Sequence, residues 1–179
     1  MDLYKKIRNV PDFPVDGIQF KDITTLCQDA EAFKDSIDIM TNHYKSMDVK
    51  IDKIVAMEAR GYVFAAPLAY LINAGFILVR KPGKLPAEVV TCEYDKEYGK
   101  DTICCHKDAI EPGENVLVID DLLATGGTAL AAAKLVEKLR GKVVECGFLI
   151  ELTGSLNGRE VLEKAGYKVW SILKMEVEE

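Results

Sequence analysis

Three short runs of uninterrupted apolar residues, separated by polar loops and helical stretches, leave this chain few folds to choose from. They are Ile54-Val55-Ala56-Met57, Phe76-Ile77-Leu78-Val79 and Val116-Leu117-Val118-Ile119. A strand with one face in water alternates apolar and polar residues. A strand covered on both faces does not, and such strands belong to parallel sheets flanked by helices. The stripe Phe33, Ile37, Met40, Tyr44 and Met47, at spacings of four and three, predicts a helix over 30–46. Helices are also predicted over 62–73, 128–140 and 156–165, and strands over 143–152 and 168–173. The expected fold class is α/β, with a doubly wound, mainly parallel sheet. At 179 residues the chain can bury a sizeable core, so 1–179 is expected to be a single domain. Residues 1–30, with a short helical start over 3–8 and a turn-rich connector over 11–17, are expected to form a small N-terminal hood. Residues 81–109 carry only weak strand patterning, over 89–94 and 101–105, and read as a long hairpin or lid. Long excursions of this kind are usually functional.

Charge narrows the partners. With 23 basic and 29 acidic residues the net charge is -6, so the overall field repels nucleic acid and anionic membranes. Any phosphate must be held locally. The apolar stretch 63–79 is interrupted by Pro67, Tyr70, Asn73 and Gly75 and reads as a helix and a strand rather than a membrane span. The first six residues lack the apolar segment of a secretory signal, and a cytoplasmic protein is expected. Five cysteines, an odd number without metal-ligand spacing, fit reduced thiols. Cys104 and His106 share a strand face, but two ligands make a poor metal site.

The segment richest in chemistry follows Val116–Ile119 and reads Asp120-Asp121-Leu122-Leu123-Ala124-Thr125-Gly126-Gly127-Thr128. A buried strand here delivers two adjacent carboxylates to the carboxyl edge of the sheet, where open α/β folds bind ligands. The loop then enters a helix. Gly126 and Gly127 let the backbone approach an anion, N–H groups at the helix start point towards it, and Thr125 and Thr128 add hydroxyl donors. No Lys or Arg occurs from Asn115 to Ala133, unlike a nucleoside triphosphate loop. One phosphate beside a sugar diol, the layout of a ribose 5-phosphate, suits this arrangement because carboxylates accept hydrogen bonds from hydroxyls.

An apolar strand, Asp-Asp, then Ala-Thr-Gly-Gly-Thr resembles the 5-phosphoribosyl-1-pyrophosphate signature of the type I phosphoribosyltransferase family. Further stretches resemble its adenine-using branch, in the same order: Pro11-Asp12-Phe13-Pro14, Phe20-Lys21-Asp22-Ile23, Glu58-Ala59-Arg60-Gly61, Arg80-Lys81-Pro82-Gly83-Lys84-Leu85-Pro86, Glu97-Tyr98-Gly99 and Glu151-Leu152-Thr153. The resemblance implies a purine-salvage transferase that converts adenine and 5-phosphoribosyl-1-pyrophosphate into AMP and pyrophosphate. It implies magnesium bound mainly through the substrate rather than by the protein. By the same resemblance Asp120 and Asp121 orient the ribose, and Ala124, Thr125, Gly126, Gly127 and Thr128 hold its 5-phosphate. Glu58, Ala59 and Arg60 receive the pyrophosphate, with Arg80, Lys81 and Lys84 adding positive charge. Gln19, Phe20 and Lys21 line the adenine pocket, with Phe20 stacked on the base and the flanking backbone reading its edge. Glu97 exchanges a proton with the purine, and Tyr98 helps to cover the site. The family commonly has Ser at the position of Ala59, an apolar residue at Gln19 and Arg at Lys21.

The run Tyr62-Val63-Phe64-Ala65-Ala66 is more apolar than one core-facing helix stripe requires. The resemblance implies that an identical subunit covers the remainder, in a homodimer that would bring Arg80 towards the partner's pyrophosphate pocket. Two other readings compete. One is a transferase for a 6-oxopurine, hypoxanthine or guanine. The other is a non-catalytic sensor of the sugar diphosphate, which would need a DNA-binding module and a basic surface that this chain lacks.

Overall fold

The computed structural model describes residues 1–96 and 99–177. A 3-10 turn, Leu3–Lys6, leads into β1 (Arg8–Pro11), β2 (Gln19–Asp22), α1 (Thr24–Gln28) and α2 (Ala30–Lys45). Next come β3 (Lys53–Met57), α3 (Arg60–Ile72), β4 (Gly75–Val79) and a hairpin of β5 (Val89–Asp95) and β6 (Lys100–His106). β7 (Asn115–Leu123), α4 (Gly127–Lys138), β8 (Lys142–Gly154), α5 (Gly158–Lys164) and β9 (Val169–Val177) complete the order.

The central sheet runs β4-β3-β7-β8-β9, and every neighbouring pair is parallel. Its apolar strands do not alternate because both faces are covered. Val55, Met57, Val116 and Val118 join one core with α4 and the β5–β6 hairpin. Ile54, Ala56, Leu117 and Ile119 join a second core with α2 and α3. The expected α/β architecture is therefore present. Helix α2 begins where expected because Asp29 accepts from the N–H groups of Glu31 and Ala32, both at 3.1 Å.

Three local expectations need correction. The helical start over 3–8 ends at Lys6, and the next residues form β1, whose antiparallel partner β2 lies across the proline-rich connector. That pairing is non-local and leaves no periodic signal. Helix α1 was not expected, since five residues are too few to show a 3.6-residue period. β9 continues four residues past the expected end because the long β8 offers it partners as far as Gly154 opposite Val177.

The predicted hairpin is present, but it is no loose flap: Cys92, Ile103 and Cys105 are buried against α4 and the sheet. Arg80 and Cys104 exchange backbone hydrogen bonds of 2.9 and 2.8 Å, which fix the entrance to this excursion. Among the described residues no helix is long and apolar enough to cross a membrane.

Candidate active site

Connections leave the sheet in opposite directions from β3 and β7, and ligands of open α/β folds bind at such a reversal. Here the end of β7 supplies Asp120 and Asp121, and the start of α3 supplies Arg60. Gly61 makes their approach possible, since a Cβ there would stand 2.8 Å from Asp120 Oδ1. The same Oδ1 accepts from the Asp121 N–H at 2.9 Å. Burial, and then the charge of Asp121, push the Asp120 carboxyl well above the usual aspartate value. Arg60 Nε lies 3.0 Å from Asp121 Oδ2. The approach is not aligned as a hydrogen bond, so this buried oxygen has no hydrogen-bond partner among the described residues. A buried acceptor left open at a cleft is suited to a donor from a ligand hydroxyl.

Two adjoining cavities share Arg60, Asp120, Asp121 and Thr128. One, of about 240 Å³, is bounded by Glu58, Ala59, Arg80, Lys81 and Lys96. The other, of about 230 Å³, follows the loop from Leu122 to Ala129.

The second cavity is built by backbone. Gly126 has φ 85° and caps α4, a conformation that side-chain-bearing residues rarely adopt. A Cβ on Gly126 would also lie 2.9 Å from the Gly158 carbonyl oxygen. In return the Gly158 N–H donates to the Ala124 carbonyl at 3.0 Å, so the first residue of α5 backs the loop. Arg159 beside it holds Glu151 with two bonds of 2.7 and 2.6 Å, and Ser171 adds a third. Gly127 is under less constraint: its φ is not left-handed, and a Cβ would make only ordinary contacts, the nearest 3.4 Å from the Asp95 carbonyl oxygen.

The first cavity is built by charge. The Glu58–Ala59 peptide is cis. Glu58 accepts from Arg80 Nε and from the Lys81 N–H, each at 2.9 Å, and these contacts hold its carboxyl below the usual range. The Glu58 carboxylate thus holds the Arg80 side chain and the Lys81 backbone. Arg80 lines the cavity of its own chain. Lys81 and Lys96 both pair with Asp101. Lys84 sits in the exposed turn, where its carbonyl accepts from Arg80 at 3.4 Å, and does not line the cavity.

In the hood, Phe20 packs edge-on to Phe13 at 5.1 Å, and Arg60 Cζ stands 5.3 Å from its ring centre. Phe20 is therefore at the cleft. Gln19 and Lys21 take the other face of β2, where Asn9 donates to Gln19 at 2.6 Å and accepts from Lys21 at 2.8 Å. Only the backbone of these two residues shares the side of Phe20. Glu97 and Tyr98 lie outside the described residues. Sequence reasoning missed Gly61, Tyr94, Lys96, Asp101 and Gly158. Gly61 stood directly after Arg60 in a quoted motif, and Lys96 directly before Glu97. The others become visible only through pairing.

A glycine loop without cations, an acid pair at a sheet reversal and a separate cationic pocket together match the layout of a phosphoribosyltransferase of the type I fold. The family model for the phosphoribosyl transferase domain matches residues 23–177. Adenine phosphoribosyltransferase of Alkaliphilus metalliredigens is 55% identical over 174 residues, 97% of this chain and 99% of the relative. The crystal structure of the Thermoanaerobacter pseudethanolicus adenine phosphoribosyltransferase superposes with a TM-score of 0.91 at 50% identity, covering 97% of this chain and 98% of that one. The Saccharomyces cerevisiae enzyme, solved with adenine and an imino-altritol bisphosphate, gives 0.89 at 39% identity over 95% of this chain and 96% of its own. The chain belongs to the adenine phosphoribosyltransferase family.

Proposed function

We propose the following division of labour for the reaction of this enzyme, in which adenine and 5-phosphoribosyl-1-pyrophosphate give AMP and pyrophosphate. The 5-phosphate sits on the N–H groups of the loop from Ala124 to Thr128, including the start of α4. Asp120 and Asp121 hydrogen-bond the ribose hydroxyls, and Asp121 offsets the positive charge that grows on the anomeric carbon as the leaving group departs. Arg60 and Lys81 receive the pyrophosphate, with Arg80 held beside them by Glu58. Adenine stacks on Phe20, and the backbone at Gln19 and Lys21 reads its edge. Glu97 exchanges the purine proton and Tyr98 covers the site, on the strength of the sequence resemblance. The observation that carries this reading is the contact of Arg60 with Asp121, since one reacting centre must touch both the ribose acids and the leaving-group cations.

Magnesium fits this arrangement as a passenger of the substrate. Asp120 and Asp121 line both adjoining cavities, and carboxylate oxygens suit a metal that arrives with its diphosphate. When bound, the metal would neutralise diphosphate charge. The protein's own residues position the ribose, separate the two anions and exclude water. We also propose a cytoplasmic homodimer working as one domain per chain, with residues 1–30 as hood and 81–109 as lid. In support, Tyr70 is 86% exposed, and Val63, Leu71 and Leu78 are also exposed on α3 and β4. The five thiols are free, as a reducing compartment requires.

A base panel with the sugar diphosphate and magnesium tests the function. Adenine is expected to exceed hypoxanthine and guanine in kcat/KM by at least about tenfold, because a 6-oxo group leaves polar partners unmatched at about 1–3 kcal/mol each. Comparable values for a 6-oxopurine would overturn this reading.

A further inference from the structure

Lys96 lines the cationic cavity together with Glu58, Arg60 and Arg80. It also borders a wider cleft of about 710 Å³ with Thr125, Gly127 and Thr128. It therefore stands between the pocket built by charge and the loop built by backbone. Its ammonium group and that of Lys81 converge on one carboxylate, Asp101 of β6. Tyr94 Oη adds a longer contact of 3.3 Å to the same Oδ2, and the Thr102 N–H donates to Oδ1 at 2.8 Å. Asp101 itself does not line the cavity. One anion behind the wall thus holds two cations in the wall, and the ammonium groups keep its carboxyl well below the usual range.

We propose that Lys96 is a diphosphate-binding residue and that Asp101 is a placeholder anion, holding Lys96 and Lys81 until the diphosphate takes them over. The inference rests on the assignment of this cavity to pyrophosphate. Without Asp101, two ammonium groups would face each other unneutralised in the empty cleft. With it, the empty cleft is electrically quiet, and the leaving diphosphate meets a competitor for its own cations. Asp101 therefore lowers affinity for pyrophosphate and assists its release. A purely structural clasp would do the reverse, since loosening the hairpin would displace both lysines and weaken binding.

Calorimetric titration of the full chain with inorganic pyrophosphate separates the two. Removing one like charge from the neighbourhood of a multivalent anion is expected to tighten binding by about fivefold or more in Asp101→Asn. Lys96→Met should weaken binding by about threefold or more and, combined with Asp101→Asn, should remove much of the gain. Asp101→Ser provides a second uncharged side chain if the Asn protein does not fold. Unchanged or weaker affinity in a folded Asp101 variant would overturn the proposal, as would a gain that persists undiminished in the Lys96→Met background. The assignment of the cavity fails separately, if wild-type protein binds no pyrophosphate or if Arg60→Ala binds it as tightly as wild type.

Discussion

The two halves of the cleft are built in opposite ways. The loop after β7 has no cationic residue and is shaped by close glycine backbones, with α5 locked behind it. The pocket after β3 has Arg60, Arg80, Lys81 and Lys96, and each already faces a carboxylate: Asp121, Glu58 or Asp101. One half is shaped without a charged side chain, while every cation of the other already has an internal partner. A group that stays on the product can use a fixed cradle. A group that must leave is better served by cations that have somewhere else to go.

The sharpest way to break the contrast is at Gly126. A side chain there meets both a left-handed φ, worth about 1–2 kcal/mol, and overpacking against Gly158, worth about 1–3 kcal/mol. Gly126→Val should therefore weaken binding of ribose 5-phosphate by about 10²-fold or more, whereas Gly127→Ala should change it about twofold at most. Titration of both variants, with circular dichroism to confirm folding, checks the pair. Equal effects would mean that the loop is not held by backbone approach.

At the junction of the halves, Asp121→Asn should lower kcat by about 10²-fold, the scale of one lost electrostatic stabiliser, whereas Asp120→Asn should raise thermal stability. The raised carboxyl value means that the folded state keeps a proton that the unfolded chain releases above the ordinary aspartate range. Stability is thus lost as pH rises through that interval. The variant should melt about 2–4 °C higher at neutral pH for each kcal/mol relieved, with no gain in acid. A lower melting temperature at neutral pH would contradict the assigned burial.

A smaller effect is expected behind the loop. Arg159→Ala leaves Glu151, 3% exposed, without its bidentate partner. The loss should be about 2 kcal/mol, below the full value for a buried pair because Arg159 is 28% exposed. Denaturant melts measure it, and ribose 5-phosphate should bind more weakly as α5 loosens. The smallest effect separates the halves by salt. Between ~0.05 and ~0.3 M ionic strength, pyrophosphate affinity should fall severalfold more than ribose 5-phosphate affinity, because side-chain cations are screened more than a helix terminus packed into the fold.

What the sequence revealed divides along the same line. Local signals carried the sheet and the phosphate loop, since apolar runs, a double glycine and adjacent acids lie within a few residues of one another. The motif could not say which glycine mattered, because Gly126 is fixed by Gly158, more than thirty residues away. Charge pairing was equally hidden. Lys96 and Asp101 carry no local signal, and it is β5 and β6 that bring them together with Lys81. Gln19 and Lys21 were expected at the base pocket through their backbone, and the pairing of β1 with β2, which leaves no periodic signal, gives their side chains to Asn9.

The burial of the hairpin gives the protein its own chemical reporter. Cys92 and Cys105 are buried on β5 and β6 in the core shared with α4, and burial pushes the Cys105 thiol up to about 12. An alkylating reagent can reach them as thiolates only when the hairpin lifts from α4. Cys27, half-buried on α1, supplies an internal reference on the other core. The ratio of alkylation at these cysteines, read by mass spectrometry, therefore measures hairpin detachment without an engineered label, and a ligand that binds beneath the hairpin must slow one rate while sparing the other.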